Sequence, residues 1–405
     1  MDCVSIPVFL MNLPNRRKAG KIRNNKHVDR LDRVRTRFFE YKGAPFHLRC
    51  GAVLDGFTLA YETYGTLNAA RSNAILVFHA MTGSQHAAGI NRDVPGLDGR
   101  WTDELHEGWW NDFIGPGKAL DTDRYFVICA NYLGGCYGST GPASKNGRRR
   151  WGADFPVLRV ADIVDSQIKL IDHLGIKVLH AAIGASIGGY LCLSLATRHP
   201  ERVKILAPIA SGLETTVLQR LMNFEQITAI ELDPAFRGGA YDPKHPPRDG
   251  LAAARRIAHK TFVSLEDLHA RARGDVKDHG SPFGWYEMNH PVESYLLHQG
   301  LKFVSRFDAN TYLRILDAWQ WFDLVSEAGA SDFEDLFSRC KDHRFLVFSI
   351  DSDASFPPVE QGRIVKMLET AHVPVTWITV HSGKGHDSFL LEPGLFTPHL
   401  AQILA

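Results

Sequence analysis

The sequence predicts an α/β fold: a mostly parallel sheet with helices on both faces and a helical insertion late in the chain. Three observations predict it. Apolar runs of strand length (residues 74–79, 124–129, 179 into 184, and 203–209) alternate with helical patterns, as buried parallel strands do. One of those runs passes into Gly184-Ala185-Ser186-Ile187-Gly188, and a helical pattern over 190–199 leaves it, stopped by Pro200. Between Gly212 and Phe345 the strand signals vanish and the patterns read helical.

In chain order, residues 1–37 are expected to be a loosely held basic arm, because basic residues dominate from Arg16 to Arg37 and apolar ones are sparse. Residues 46–53 and 57–64 alternate apolar and polar side chains about Asp55-Gly56, a hairpin signal. The 74–79 strand ends in Ala80-Met81-Thr82-Gly83-Ser84. The 124–129 strand runs into a Gly-rich loop over 131–142, which lacks the Lys of a phosphate-binding loop and reads as a tight turn beside a pocket. Asp162 caps an amphipathic helix (Ile163, Ile168, Ile171, Leu174) that stops at Gly175. Helices are expected over 214–230, 251–260, from the capped Ser264-Leu265-Glu266-Asp267 start, and over 292–307 and 309–324. The sheet resumes at 345–350 and 375–380. These readings divide the chain into the arm (1–37), a core domain (38–212 and 340–405) and a helical lid insertion (213–339).

Composition bounds the function. A chain of 405 residues can bury one large core, or a core with a smaller inserted unit. Its formal net charge of +1 argues against nucleic acid or an anionic membrane as the main partner. No apolar run approaches the roughly 18 residues of a spanning helix. The N-terminal apolar piece, residues 6–13, precedes Arg16, Arg17 and Lys18, the reverse of a signal peptide. Six scattered cysteines with no Cys-x-x-Cys pair read as reduced thiols in a cytoplasmic protein, with no zinc or other metal site. No cofactor is expected.

The chemistry is expected at Ser186. A strand-to-helix turn this tight leaves no room for a Cβ two residues before or after its centre, hence Gly184 and Gly188. The Ser186 hydroxyl would stand at the tip of the sheet, facing the Ile187 N–H and the positive end of the next helix. A serine hydroxyl needs a base, and the base a carboxylate to orient it. Both are expected in order after later strands: Asp353 beyond 345–350, with Asp351 in reserve, and His386 beyond 375–380. The second oxyanion donor is expected in the loop after His79, at the Met81 N–H.

Several motifs together resemble the homoserine O-acetyltransferase family of α/β-hydrolase-fold enzymes. They are His79-Ala80-Met81-Thr82-Gly83, Gly108-Trp109-Trp110 with Gly115-Pro116-Gly117, the 131–142 loop, the 184–189 turn, Ser352-Asp353 with Phe356-Pro357-Pro358, and Gly385-His386-Asp387-Ser388-Phe389-Leu390. The resemblance implies a Ser186, Asp353, His386 triad, a ping-pong mechanism through an acyl-Ser186 intermediate, and a helical lid that pairs two subunits into a homodimer. It also implies a substrate-binding role for Asp387, facing the homoserine amine. One departure stands out: where the family's lid helix resembles Gln-Arg-Gln-Ala-Ile, this chain has Gln226-Ile227-Thr228-Ala229-Ile230, with Ile227 in the substrate-binding place of an Arg that would hold the homoserine carboxylate. Arg220, about two turns earlier, is the expected substitute only if its side chain reaches back.

Three functions follow as expectations. The first is a serine carboxylesterase hydrolysing short-chain acyl esters, motivated by an intact triad beside a weakened acceptor site. The second is a homoserine O-acetyltransferase using acetyl-CoA in methionine synthesis. The third is a catalytically silent binding protein, which the complete triad disfavours.

Overall fold

Five-residue runs made wholly of apolar side chains leave no polar face for water, and here they fold as inner strands. A computed structural model describes residues 33–97, 99–274 and 283–405. Eight strands form one sheet: β1 (Arg37–Tyr41), β2 (Phe57–Tyr64), β3 (Ala74–Phe78), β4 (Phe126–Ala130), β5 (Leu179–Ala185), β6 (Val203–Ile209), β7 (Arg344–Ile350) and β8 (Val375–Val380). Their order in space is β1-β2-β4-β3-β5-β6-β7-β8. β2 runs antiparallel to β1 and β4, and every other neighbouring pair is parallel. Alternate residues of each strand feed two cores: Leu76 and Phe78 face one, Ile75 and Val77 the other. The mostly parallel α/β sheet expected from the sequence is therefore the architecture.

Because β3 and β5 to β8 share a direction, their C-terminal ends lie along one edge. Ala185 pairs with Ile209, Ile209 with Phe348, and Ile350 with Val380. The loops leaving these strands are thus delivered to the same place.

Two local expectations are corrected. The hairpin about Asp55-Gly56 does not form: residues 46–47 pair with 53–54, and β2 pairs instead with β1 and β4. β2 is buried along nearly its whole length, so its alternation marked an interior strand rather than a half-exposed one. The arm also ends earlier than position 37. Arg37 is a sheet residue, Val34 N–H donates to the Ile90 carbonyl, and Thr36 Oγ1 donates to the buried Glu62 carboxylate at 2.7 Å. The rest of the expected arm lies outside the described residues.

Helix α1 (Val160–His173) begins at Arg159 rather than at Asp162, whose carboxylate reaches back to accept from the Arg159 N–H at 2.8 Å. Its next two free N–H groups, on Val160 and Ala161, donate to the Glu327 carboxylate at 3.2 and 2.8 Å. Burial pushes the Glu327 carboxyl up to about 7, against those bonds. The folded protein then keeps the Glu327 proton after the unfolded chain has lost it. Stability is expected to fall as pH rises from about 4.5 to 7, by about 1–2 kcal/mol for a partly buried group. Thermal melts across that range check this: Glu327→Gln, which cannot ionise, should flatten this part of the profile.

Between β6 and β7 the described residues carry helices and one isolated bridge, Glu214 with Asp323. The helices are α3 (Val217–Glu231), α4 (Arg248–Phe262), α5 (Leu265–Gly274), α6 (Pro291–Val304), α7 (Ala309–Gln320), α8 (Leu324–Ala328) and α9 (Phe333–Ser338). The single helix expected over 309–324 is broken after Gln320. There the chain turns Phe322 inward to stack on Tyr190, with ring centroids 4.0 Å apart, and exposes Trp321.

Candidate active site

β5 hands the chain to helix α2 (Ile187–Arg198) in a single residue. That residue, Ser186, has φ 60° and ψ −128°, a backbone conformation L side chains rarely adopt. The crowding behind it is direct. A Cβ on Gly184 would stand 2.2 Å from the Gly188 carbonyl oxygen, and one on Gly188 would stand 2.5 Å from the Phe78 carbonyl oxygen. The helix starts immediately at Ile187, ahead of the start expected from the pattern at Tyr190. The tightness of the turn leaves no linker. Ser186 Oγ makes no hydrogen bond among the described residues.

Asp353 and His386 meet across the ends of β7 and β8. The Asp353 Oδ2 to His386 Nδ1 distance is 2.6 Å, and both side chains are buried. Asp353 Oδ1 accepts the N–H groups of Ser355 and Phe356, both at 2.8 Å. A carboxylate only accepts, so His386 Nδ1 carries the proton and Nε2 holds the lone pair. His386 Nε2 is buried and has no hydrogen-bond partner among the described residues. The imidazole is clamped by Phe356, stacked at 5.3 Å, and by the edge of Phe389 at 5.2 Å. Gly385, at φ +72°, brings the loop so close to the insertion that a Cβ would stand 2.6 Å from the Ser264 nitrogen. Lys384 pairs with Asp267 of α5 at 2.7 Å, tying the same loop to the insertion. Asp351, the reserve carboxylate, is exposed and engaged elsewhere, accepting from His381 at 2.9 Å and the Ser382 N–H at 3.0 Å.

The backbone N–H groups of Met81 and Ile187 have no hydrogen-bond partner among the described residues. The Met81 loop is braced by His79, whose ring stacks on Tyr132 at 3.7 Å and whose Nδ1 lies 2.7 Å from the Ala80 carbonyl. Burial pulls the His79 pKa down to about 4, so this ring is neutral.

Beside the Met81 loop opens a cavity of about 230 Å³ lined by Thr82, Gly83, Glu104, Trp109, Arg255 and Arg306 among others. The two guanidiniums both approach the Phe303 ring, each at 5.1 Å. Arg306 donates to Tyr137 Oη at 3.0 Å and to the Thr82 carbonyl at 3.4 Å, so the Gly-rich loop does lie beside this pocket. Neither arginine was singled out from the sequence. Arg255 follows three alanines, which read as plain helix filler.

The residues around the expected carboxylate site are redistributed. Ile227 is half-buried and packs against the main core. Its neighbour Gln226 accepts from Tyr312 Oη. Arg220 does not reach back: its guanidinium donates to the Gln320 carbonyl at 2.5 Å and lies over Trp321 at 5.9 Å. Asp387 is partly buried with no hydrogen bond or ion pair among the described residues. Burial raises its pKa, against the pull of His386, Arg255 and Arg271.

Comparison with known proteins adds the family. Residues 73–393 match the family model described as the alpha/beta hydrolase fold. A curated homoserine O-acetyltransferase from Mesorhizobium japonicum is 41% identical over 94% of this chain and 94% of its own. A homoserine O-succinyltransferase from Acidithiobacillus ferrooxidans is 41% identical over 86% of this chain and 89% of its own. Among solved structures, a homoserine O-acetyltransferase from Bacillus anthracis superposes with a TM-score of 0.80 at 26% identity, covering 91% of this chain and 98% of that one. A crystallised esterase superposes with a TM-score of 0.81, also at 26% identity, covering 92% of this chain and 100% of that one. The curated relatives at 41% are acyltransferases, which corrects the expectation of a carboxylesterase as the main activity. That expectation treated the loss of one Arg at position 227 as the loss of an acceptor site, whereas Arg255 and Asp387, both partly buried, have no ion-pair partners among the described residues. The chain belongs to the homoserine O-acetyltransferase family of the α/β-hydrolase fold.

Proposed function

We propose that this protein is a homoserine O-acyltransferase that moves an acetyl group from acetyl-CoA to the hydroxyl of L-homoserine through an acyl-Ser186 intermediate. The observation that carries the reading is the 41% identity, over 94% of both chains, to a curated homoserine O-acetyltransferase. The Asp353–His386 hydrogen bond and the unbonded backbone N–H groups of Met81 and Ile187 support this reading. His386 Nε2 takes the Ser186 proton as Oγ bonds to the thioester carbonyl carbon, and the carbonyl oxygen becomes an oxyanion. The free N–H groups of Met81 and Ile187 are the donors for that oxyanion. Collapse breaks the carbon–sulfur bond, and His386 returns the proton to the departing thiolate of CoA. In the second half the homoserine hydroxyl loses its proton to Nε2 and its oxygen attacks the acyl carbon; Ser186 leaves and regains the proton. Asp353 holds the ring through Nδ1, which leaves the Nε2 lone pair free. Asp387 is assigned to the homoserine ammonium. Ile227 brings no polar group.

The homodimer expected through the lid helices belongs to the same reading. Val217, Leu218, Leu221, Phe224 and Leu232 of α3 and its end are exposed, as is Trp321, an apolar row that a second copy would cover. The buried free thiols of Cys129, Cys136, Cys192 and Cys340 suit the expected cytoplasmic place.

The test is release of free CoA thiol from acetyl-CoA, and from succinyl-CoA, with and without homoserine. Release that rises at least about tenfold on adding homoserine is the expected result, with acetyl-CoA the better donor. Equal release in its absence would overturn the transfer reading.

A further inference from the structure

Arg255 is a half-buried cation. It sits on α4, lines the cavity beside the Met81 loop, and has no hydrogen bond or ion pair among the described residues. Its guanidinium lies over two aromatic rings instead, Phe262 at 5.4 Å and Phe303 at 5.1 Å. Phe262 in turn faces His386, with centroids 6.0 Å apart, so Arg255 is one ring removed from the imidazole. A second cation, Arg306, adjoins it, and burial and that like charge together push the Arg255 pKa down. A carboxylate that interacts with it is Asp387, which has no ion pair among the described residues. The two interact electrostatically, yet no N–O separation falls within the 4.0 Å of an ion pair.

Drawing a cation and an anion partly out of water without partners is costly, and holding them apart leaves both costs unrelieved. A zwitterion between them would relieve both. An α-amino acid has that shape, with a carboxylate and an ammonium on one carbon. Position 227, where the carboxylate partner was expected, holds Ile. Yet its neighbour Gln226 is bonded to Tyr312, and Tyr312 interacts electrostatically with Arg255.

We infer that Arg255 holds the α-carboxylate of the amino-acid acceptor, opposite Asp387 at its ammonium. This inference rests on the acyltransfer reading above and names the residue that replaces the missing Arg. The guanidinium offers paired donors to a planar carboxylate, and the rings at its face keep it from folding back onto protein oxygens.

The experiment compares two acceptors, homoserine and aminopropanol (homoserine without its carboxylate), in the wild type, Arg255→Gln and Arg255→Lys, with acetyl-CoA as donor. Arg255→Gln is expected to lose about 10- to 100-fold in kcat/KM for homoserine, chiefly through KM, and to lose several-fold less with aminopropanol. Arg255→Lys, which keeps the charge without the fork, should recover part of the loss. Equal losses with both acceptors would overturn the assignment, since a merely structural role ignores the carboxylate. A loss that follows a switch from acetyl-CoA to succinyl-CoA, not the acceptor, would also overturn it, placing Arg255 at a donor carboxylate. Should Arg255→Gln fail to melt cooperatively, the Lys variant carries the test: an equal deficit with both acceptors overturns the inference. A wild type whose thiol release ignores homoserine would instead overturn the acceptor reading itself.

Discussion

Ser186→Ala is expected to lower the transfer rate by about 10⁵- to 10⁶-fold while leaving the fold intact, because in the proposed mechanism the variant removes the atom that takes the acyl group. The structure separates those two effects. Ser186 Oγ makes no hydrogen bond among the described residues, and an alanine keeps the Cβ that the φ 60° turn already tolerates. The melting temperature should therefore move by no more than about 2 °C, well under the shift of a core substitution. Labelling by a fluorophosphonate probe should vanish with the hydroxyl. A variant retaining more than about 1% of homoserine-dependent CoA release would show that another atom carries the acyl group, and the nucleophile would have to be sought elsewhere.

Much of this arrangement was legible in the sequence because parallel strands make it so. Ser186, Asp353 and His386 each follow an apolar run within a few residues, and runs that share a direction end at one edge. Gly184 and Gly188 were legible for a steric reason: a turn of one residue excludes their Cβ atoms. The features that stayed hidden lack such local grammar. β1 buries only Phe39, so its periodicity is swamped by the basic residues before it. The partner of β2 lies across an intervening loop, where adjacency in sequence pointed to the wrong strand. Helix boundaries in the insertion shifted because Phe322 turns inward to Tyr190, a tertiary contact no helical pattern carries.

The acceptor site shows the same limit with a functional consequence. Reading one position at a time, Ile227 means an absent cation. Arg255, Phe262, Phe303 and Asp387 come from two helices of the insertion and one loop of the core, and only packing brings them together. The insertion also reaches the loop that carries His386, through Ser264 against Gly385 and Asp267 against Lys384. The residues proposed to hold the acceptor and the proposed base thus sit on elements that touch one another.

Asp353→Asn is expected to reduce kcat by about 10⁴-fold, the second-largest effect, for a reason visible in the bonds of the carboxylate. Oδ1 accepts two backbone N–H groups, from Ser355 and Phe356. An asparagine must point its own oxygen there, because turning its NH₂ toward two donors would break both bonds. Its NH₂ then faces His386 Nδ1 and donates to it. The imidazole proton is driven to Nε2, which removes the lone pair that should receive the Ser186 proton. Thus the variant keeps its shape and loses its base. Asp351→Asn, two residues away on the same loop, should change kcat by less than about twofold, since Asp351 bonds His381 and Ser382 at the surface. Steady-state transfer rates of the two variants, compared with melts showing both folded, decide the assignment. A larger loss at 351 than at 353 would reverse it, and a small loss at both would mean His386 works without a carboxylate to steer it.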